Sequence, residues 1–493
     1  MKPAEPLLIL LAREIPQTGL QEFTRLCADC LDSGDRILTL FGRPDGGEDV
    51  IVSAVIEGVG GRLSVLRAKA KRGERFDSLT LRYPAVHMFE RELWEQMDIT
   101  PAGHPWLKPI RHEGARQQHM TDYPFFQVRG AEVHEVGVGP IHSSVIEPGH
   151  FRFMCLGEQV HHLEIQLGYQ HRGVEQLLLR RKPLLLTSTV ESIVGDSSIA
   201  YAWAYCAALE AFSETEVSVE QDLVRGVALE LERVAMHVGA LGGMSGDIAF
   251  LQGGATYGRL RTAIINASML ICGSRFGRGW LRPGGVRFGL SDALRQDLLA
   301  TLAAFARDFA QVNELMLSAR SVQARLQNVG VLSTTAAREI GMVGLAARAS
   351  GVAVDTRVSL PGRLYDAYPV SLATEESGDC WARLRLRMRE IDESVRWVTQ
   401  ILGEPALDLR ATAPGVTKTL RPDMLCVSVR EGCRGEVVHV IETKSDGSLL
   451  HYKVQDPSLQ NWFGEALSVR DNEISDFPIC NKSFDLSYCG NDL

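Results

Sequence analysis

The chain has 493 residues, 45% hydrophobic and 23% charged, with a net charge of −9 and a pI near 5.9. That length exceeds one ordinary core and predicts two or three domains of a folded soluble protein. The acidic balance excludes general nucleic-acid binding. The longest apolar run near the start, residues 7–12, falls far short of the ~20 residues that span a bilayer.

That run is also short for a signal-peptide core, with Glu5 and Pro6 beside it. The reading is a cytoplasmic protein whose membrane contact comes through partners. Residues 1–115 alternate as a small α+β domain. Strand patterns cover 36–41, 49–56, 62–68 and 75–81, separated by glycine turns at 46–47 and 58–61, and a helix is predicted over 85–96. Cys27 and Cys30 form a lone Cys-x-x-Cys in a helix-like stretch. Without a second pair they do not make a zinc or cluster site. The other cysteines read as buried thiols.

Polar, turn-rich sequence follows, and 116–135 is read as a linker to a second domain, 136–493. That domain opens with a β segment to about residue 154. Helical periodicity then predicts helices over 158–169, 197–212, 217–242, 260–278, 291–326 and 380–402. Beyond residue 414 the pattern returns to strands, at 424–429, 435–443 and 449–454. The fold class is therefore α+β: a small N-terminal domain, then a mainly helical domain with β segments at both ends. No Gly-x-Gly-x-x-Gly after a strand points to a dinucleotide site, and no Gly-x-Ser-x-Gly elbow points to a hydrolase.

Several motifs occur in order. The first is Tyr83-Pro84-Ala85-Val86-His87-Met88-Phe89-Glu90-Arg91-Glu92-Leu93-Trp94, followed by Gly103-His104-Pro105 and Asp122-Tyr123-Pro124. Next come Gly139-Pro140-Ile141-His142, Glu147-Pro148-Gly149-His150-Phe151-Arg152 and Leu167-Gly168-Tyr169-Gln170-His171-Arg172-Gly173-Val174-Glu175. Glu230, Arg233 and His237 then share one helix face, with Asp247 ten residues beyond His237. Buried polar groups in such a stripe are expected to pair with one another. Later come Leu281-Arg282-Pro283-Gly284-Gly285-Val286, Ala347-Arg348-Ala349-Ser350-Gly351, Asp355, Arg357 and Gly432-Cys433-Arg434-Gly435-Glu436.

Together these motifs resemble one superfamily: large subunits of energy-converting (group 4) [NiFe]-hydrogenases of the formate-hydrogenlyase type, and the quinone-site subunit of respiratory complex I. The N-terminal domain resembles the small peripheral-arm subunit of complex I, fused ahead. In the hydrogenases two Cys-x-x-Cys pairs hold the metals, and a Ni–Fe centre needs such thiolates. Here the matching positions are Val194 and Ser197, then Ser487 and Gly490, and Tyr201 stands where a histidine is usual. The resemblance therefore implies a hydrogenase frame with no metal bound by this chain.

In the complex I relatives a histidine and a tyrosine grip the quinone head, and an aspartate backs the histidine. His142 matches the histidine, Asp247 the aspartate, and the tyrosine position falls at Gly195. A carboxylate behind an imidazole raises its proton affinity, which suits protonation of a quinone oxygen. The resemblance thus implies a site with His142, Asp247 and Asp196 in catalytic roles and Gly195, Ser197, Arg348 and Asp355 contacting substrate. Glu230, Arg233 and His237 would form a structural polar network. It also implies a hetero-oligomer in which a [4Fe–4S] small subunit, antiporter-like membrane subunits and a membrane anchor hold the chain peripherally at the cytoplasmic face. Such a complex would pump ions and reduce a quinone-like acceptor. The alternative is a catalytically silent scaffold between the Fe–S subunit and the membrane arm.

Overall fold

A computed structural model describes residues 4–116, 119–128, 130, 132–143, 146–413, 415–416 and 419–493. Positions 117, 118, 129 and 131 of the expected linker lie outside the described residues. Helix accounts for 46% and strand for 19% in several small sheets, the α+β class expected.

In the N-terminal part, strands Arg36–Pro44, Asp49–Gly58 and Arg62–Lys71 form an antiparallel meander, with Gln17–Thr18 added parallel at one edge. The central strand reads Asp-Val-Ile-Val-Ser-Ala-Val-Ile-Glu-Gly and is buried on both faces, which accounts for its nearly unbroken apolar run. Val50, Val52, Ala54 and Ile56 pack under helices Leu20–Asp32 and His87–Met97. Val55, with Leu38, Phe41 and Leu63, packs instead against Val427, Val429, Val438 and Val440 of the C-terminal sheet. Cys27 belongs to the first of these cores.

The C-terminal sheet has the order Leu7–Leu11, Met424–Glu431, Glu436–Thr443, Leu449–Gln455. The apolar run near the start of the chain is thus an edge strand, pairing antiparallel from Leu7 opposite Ser428 to Leu11 opposite Met424. Buried ion pairs stitch the two sheets: Arg67 to Glu442 at 2.9 Å and Arg36 to Glu436 at 2.7 Å.

Residues 158–169 differ from the helix expected there. Gln159–Gln166 is a strand, the outer member of a three-stranded sheet with His150–Leu156 and Val133–Val138. The two-residue loop Gly157-Glu158, with Gly157 at φ +60°, turns one strand back on the other. The segment's apolar residues Val160, Leu163 and Ile165 serve one packed surface through a register shift after Val160. The expected strand at 75–81 shortens to Arg75–Asp77.

The other helices fall near their expected places. Ser198–Ser213, Val219–Asp247, Leu251–Cys272, Asp292–Ser318 and Cys380–Gly403 build the helical body. Helix Arg320–Leu326 is separate, because Ala319 adopts extended backbone and breaks the expected single helix. Three of the starts are capped by Ser218, Ser291 and Asp379, whose side chains accept amide protons three residues on. Ser198–Ser213 is buried nearly all round, and its alanines let the C-terminal sheet approach closely. Among the described residues no helix is long and apolar enough to cross a membrane.

Candidate functional site

The 191–197 segment leads into helix Ser198–Ser213, and the C-terminal residues reach it from the other side. Val194 is buried, and Ser197 Oγ lies 3.6 Å from Cys433 Sγ. One turn on, the Tyr201 hydroxyl donates to Asp456, which also accepts from Ser458 N at 2.7 Å. Asp456 in turn backs Gly490: a Cβ there would stand 2.4 Å from its Oδ2. Ser487 caps the final helical turn, its Oγ accepting from Gly490 N at 2.9 Å. The structure thus gathers Val194, Ser197, Ser487 and Gly490 around a Tyr201–Asp456 bond. Burial pushes the Asp456 carboxyl and the Tyr201 phenol up.

Asp196 is held by Arg434, with Nη1 and Nη2 each 2.9 Å from a carboxylate oxygen. Such a fork-to-carboxylate bond fixes direction as well as charge. Arg434 occupies the tight turn between the two central strands of the C-terminal sheet, and its Nε donates to the Asp485 carbonyl. The turn presses on Gly344, which has φ +63° and whose Cβ would meet Arg434 O at 2.1 Å. Gly344→Ala is expected to lower stability by about 2–4 kcal/mol, read as a lower urea midpoint, since neither the dihedral nor the gap accepts a methyl.

Behind the turn lies a buried ion network. Glu230 accepts from Arg233 at 3.0 Å, Arg357 at 3.1 Å, Ser394 at 2.6 Å and Tyr365 at 2.9 Å. Arg357 grips Asp355 at 2.7 and 3.0 Å, and Arg348 lies 3.4 Å from Asp355, 2.7 Å from Glu390 and 2.9 Å from Glu431. His237 Nε2 meets Glu390 at 2.9 Å, while its Nδ1 accepts from Arg387 at 3.1 Å. Burial pushes the Glu230 carboxyl up, but Arg233 and Arg357 overcome it and hold the carboxyl at about 2. Burial lowers His237 to about 4, so its imidazole is neutral near pH 7.

The network grips both flanks of Arg434. Arg233 donates to the carbonyls of Glu431 at 2.7 Å and Gly432 at 2.8 Å. Arg387 donates to the carbonyls of Ser483 at 2.8 Å and Phe484 at 2.9 Å. Arg348 and Asp355, expected to contact substrate, are 1% and 3% exposed and bond protein groups in the same network as Glu230, Arg233 and His237.

His142 is half-buried in the loop before strand His150–Leu156. Its Nε2 donates to Gly149 O at 2.7 Å, and its ring packs on Gly139. Asp247 is exposed at the end of helix Val219–Asp247. Among the described residues no hydrogen bond or ion pair joins His142 to Asp247. Gly195 lies near Arg278, whose Nη2 is 3.5 Å from where its Cβ would be.

Beside Asp196 a cavity of about 390 Å³ is lined by Gly239, Gly242, Gly254 and Gly258 of two helices, and by Arg261, Lys482 and Asp485. Lys482 pairs with Asp485 at 2.8 Å. Arg261 has no hydrogen-bond or ion-pair partner among the described residues, and its Nε is buried. Glu232 lies close enough to Asp196 to feel its charge. It accepts from Ile199 N at 2.7 Å and is pushed up to about 8 by burial, so it keeps its proton near pH 7.

Arg261, Glu232, Glu390, Glu431 and the pairing of Arg434 with Asp196 were not singled out from the sequence. A stripe of Arg383, Arg387, Glu390 and Ser394 at helical spacing was the available signal for part of them. Among the described residues no group of three or more His, Cys, Asp or Glu is placed to hold a metal ion.

Residues 247–408 match the family of the respiratory-chain NADH dehydrogenase 49 kDa subunit, and residues 38–125 match that of the 30 kDa subunit. Hydrogenase-4 component G of Escherichia coli (strain K12) is 27% identical over 436 residues, covering 84% of this chain and 75% of the relative. The membrane-bound hydrogenase subunit alpha of Pyrococcus furiosus is 26% identical, over 71% of this chain and 85% of the relative. The NADH-quinone oxidoreductase D-type subunit of Campylobacter concisus is 30% identical, over 57% of this chain and 70% of the relative.

Proposed function

The chain belongs to the family of the 49 kDa and D-type subunits of NADH-quinone oxidoreductases, here preceded by a 30 kDa-type domain, and on that premise we propose an electron-transfer role without a Ni–Fe centre. It is a subunit of a multisubunit, membrane-associated complex of the complex I and group 4 hydrogenase kind. In this reading it is held peripherally on the cytoplasmic side by an Fe–S small subunit, a membrane anchor and antiporter-like subunits that pump ions. A [4Fe–4S] cluster in the small subunit would supply electrons, and a quinone-like acceptor would take two of them with two protons.

The residues present do not fit a Ni–Fe centre. Val194, Ser197, Ser487 and Gly490 offer no thiolate, and the Asp456 carboxylate occupies the space a side chain at position 490 would need. Cys433 and Cys489 are nearby, but burial pushes the Cys433 thiol up to about 11 and raises Cys489 as well.

The observation that carries the acceptor reading is Arg261. A cation with a buried, unpartnered Nε beside a cavity attracts negative charge developing on a quinone oxygen. Lys482 and Asp196 line the same cavity, and the protonated Glu232 is within electrostatic reach of Asp196. The competing scaffold reading is favoured by the Tyr201–Asp456 bond, which closes the metal frame.

The test uses the purified native complex, its clusters reduced with dithionite and mixed with a short-chain quinone. Wild type is expected to reoxidise rapidly and Arg261→Met at least tenfold more slowly. His142→Ala in the same assay reports whether this histidine also touches the acceptor. Reduced clusters that quinone leaves untouched in wild type would overturn the acceptor reading in favour of the scaffold.

A further inference from the structure

Cys380 and Cys480 stand apart from the thiols discussed so far. Their sulphur atoms are 4.0 Å apart, and both side chains are fully buried. Cys380 is the first residue of helix Cys380–Gly403, where the helix dipole favours an anion. One turn along, Arg383 points back with Nη2 at 3.4 Å from Cys380 Sγ, and its Nε donates to Ser483 at 2.8 Å. Cys480 comes from a different element, helix Phe477–Phe484.

We propose that Cys380 and Cys480 form a reversible disulfide, with hydrogen peroxide as the oxidant. A Cys380 thiolate attacks a peroxide oxygen, the O–O bond breaks, and the sulphur becomes a sulfenic acid as hydroxide leaves. The Cys480 sulphur then attacks Cys380 Sγ, the S–O bond breaks, and the Cys480 proton leaves with the hydroxyl as water. Two thiols and one peroxide thus become one disulfide and two waters, the two electrons passing from sulphur to oxygen.

The polar surroundings suit this sequence. Burial alone would push the Cys380 thiol up, but its hydrogen bond with Cys480, together with Arg383 and Ser483, brings it below the usual thiol value. The Cys480 thiol is raised by that same bond and by burial. Asp379 caps the helix ahead of Cys380, its carboxylate bonded to Ala382 N at 2.8 Å. Glu465 faces the pair from helix Ser458–Ser468. Burial holds it up at about 8, so it adds no negative charge at neutral pH.

Access is short. The pair lies directly beneath Gly330, where an added Cβ would meet Cys480 Sγ at 2.7 Å and Cys380 Sγ at 3.4 Å. The segment covering them is non-helical and carries exposed Asn328 and the 47% exposed Val331 on either side of Gly330. Closing 4.0 Å to the ~2.05 Å of a disulfide needs side-chain rotation of one or both residues. The bond would tie the helix carrying Arg387 to the helix that leads into Asp485, fixing the Arg387 support on one side of Arg434.

The experiment treats the full-length protein, in its complex and purified without oxygen, with a small excess of hydrogen peroxide. Free thiols are then alkylated after denaturation, and the digest is mapped by mass spectrometry without reductant. A peptide cross-linked between Cys380 and Cys480, lost on adding dithiothreitol, is expected. It should form faster at pH 7.5 than at pH 5, as attack by the Cys380 thiolate requires. In Cys480→Ser, Cys380 should stop at a sulfenic acid that dimedone traps. If that variant does not fold, the wild-type map and its pH ratio decide alone. Recovery of both cysteines as alkylated thiols while Cys30 or Cys489 oxidises would overturn the proposal, as would equal rates at the two pH values.

Discussion

Replacing Arg348 with methionine will destabilise the fold by about 3–5 kcal/mol, the cost of stripping the counter-ion from a buried charge cluster. The side chain is 1% exposed and holds Glu390 at 2.7 Å, Glu431 at 2.9 Å and the Val354 carbonyl at 2.7 Å, with Asp355 at 3.4 Å. Arg233, Arg348 and Arg357 pair with the carboxyls of Glu230, Asp355, Glu390 and Glu431, and Arg387 joins the cluster through His237. Removing one guanidinium leaves an excess carboxylate with no water to solvate it.

The cheapest response is protonation, and Glu431 is the candidate, because burial and Asp355 already hold it up at about 7. Its value rises further once Arg348 is gone. The folded variant then keeps a proton that the unfolded chain has released, so its stability falls as pH rises from the ordinary carboxyl range through that value. The loss relative to wild type is therefore smaller at pH 5.5 than at pH 8, and urea titrations at both pH values measure it. Adding Glu431→Gln should recover part of the loss, whereas Arg348→Lys should recover little, because one ammonium cannot span three carboxylates. A loss below 1 kcal/mol at pH 8 would show that the cluster does not act as one unit. Arg233 and Arg387 of this cluster hold the backbone on both sides of Arg434. Any loosening should therefore also free the Asp196 pair.

What the sequence made legible follows from which forces act locally. Helix Cys380–Gly403 was readable because its apolar periodicity lies within one stretch of chain. The strands Met424–Glu431 and Glu436–Thr443 were readable from β-branched runs flanking a glycine turn. Gln159–Gln166 misled because a register shift after Val160 breaks strict alternation, leaving a spacing that imitates a helix. The strand Leu7–Leu11 was illegible for another reason: its hydrogen-bond partner is more than 400 residues away, between Ser428 and Met424.

The site divides in the same way. Glu230, Arg233 and His237 announced themselves by sharing a helix face, and they do join one network. Arg434 and Asp196 did not, because a pair 238 residues apart leaves no local pattern. Arg261 looks in sequence like any surface arginine of a helix. Only the glycine-lined wall around it shows that it faces a cavity.

Glu465→Gln is expected to stabilise the protein at alkaline pH and to leave it unchanged in acid. Glu465 is fully buried, accepts from Asn481 Nδ2 at 2.8 Å through Oε1, and has no partner for Oε2. Burial holds its carboxyl at about 8. Below the ordinary carboxyl value both folded and unfolded chains carry the proton, so the residue contributes no pH dependence. Between that value and about 8 the folded chain keeps a proton that the unfolded chain has lost, and stability falls by up to ~1.4 kcal/mol per pH unit. Above about 8 the slope vanishes. Glutamine preserves the shape and the bond from Asn481 but has no proton to lose. Its extra amide faces the same unpartnered space as the protonated oxygen, so the two chains match below the ordinary carboxyl value. Glu191, Glu232 and Glu431 are raised by burial too, so wild type and variant both weaken as pH rises. Subtracting one urea-midpoint curve from the other removes their share and leaves Glu465 alone. The difference should climb from near zero at about pH 3.5 to several kcal/mol at about pH 8.5 and then level. A flat difference would mean that Glu465 ionises in the core at neutral pH, and that a cation such as Arg383 compensates it there.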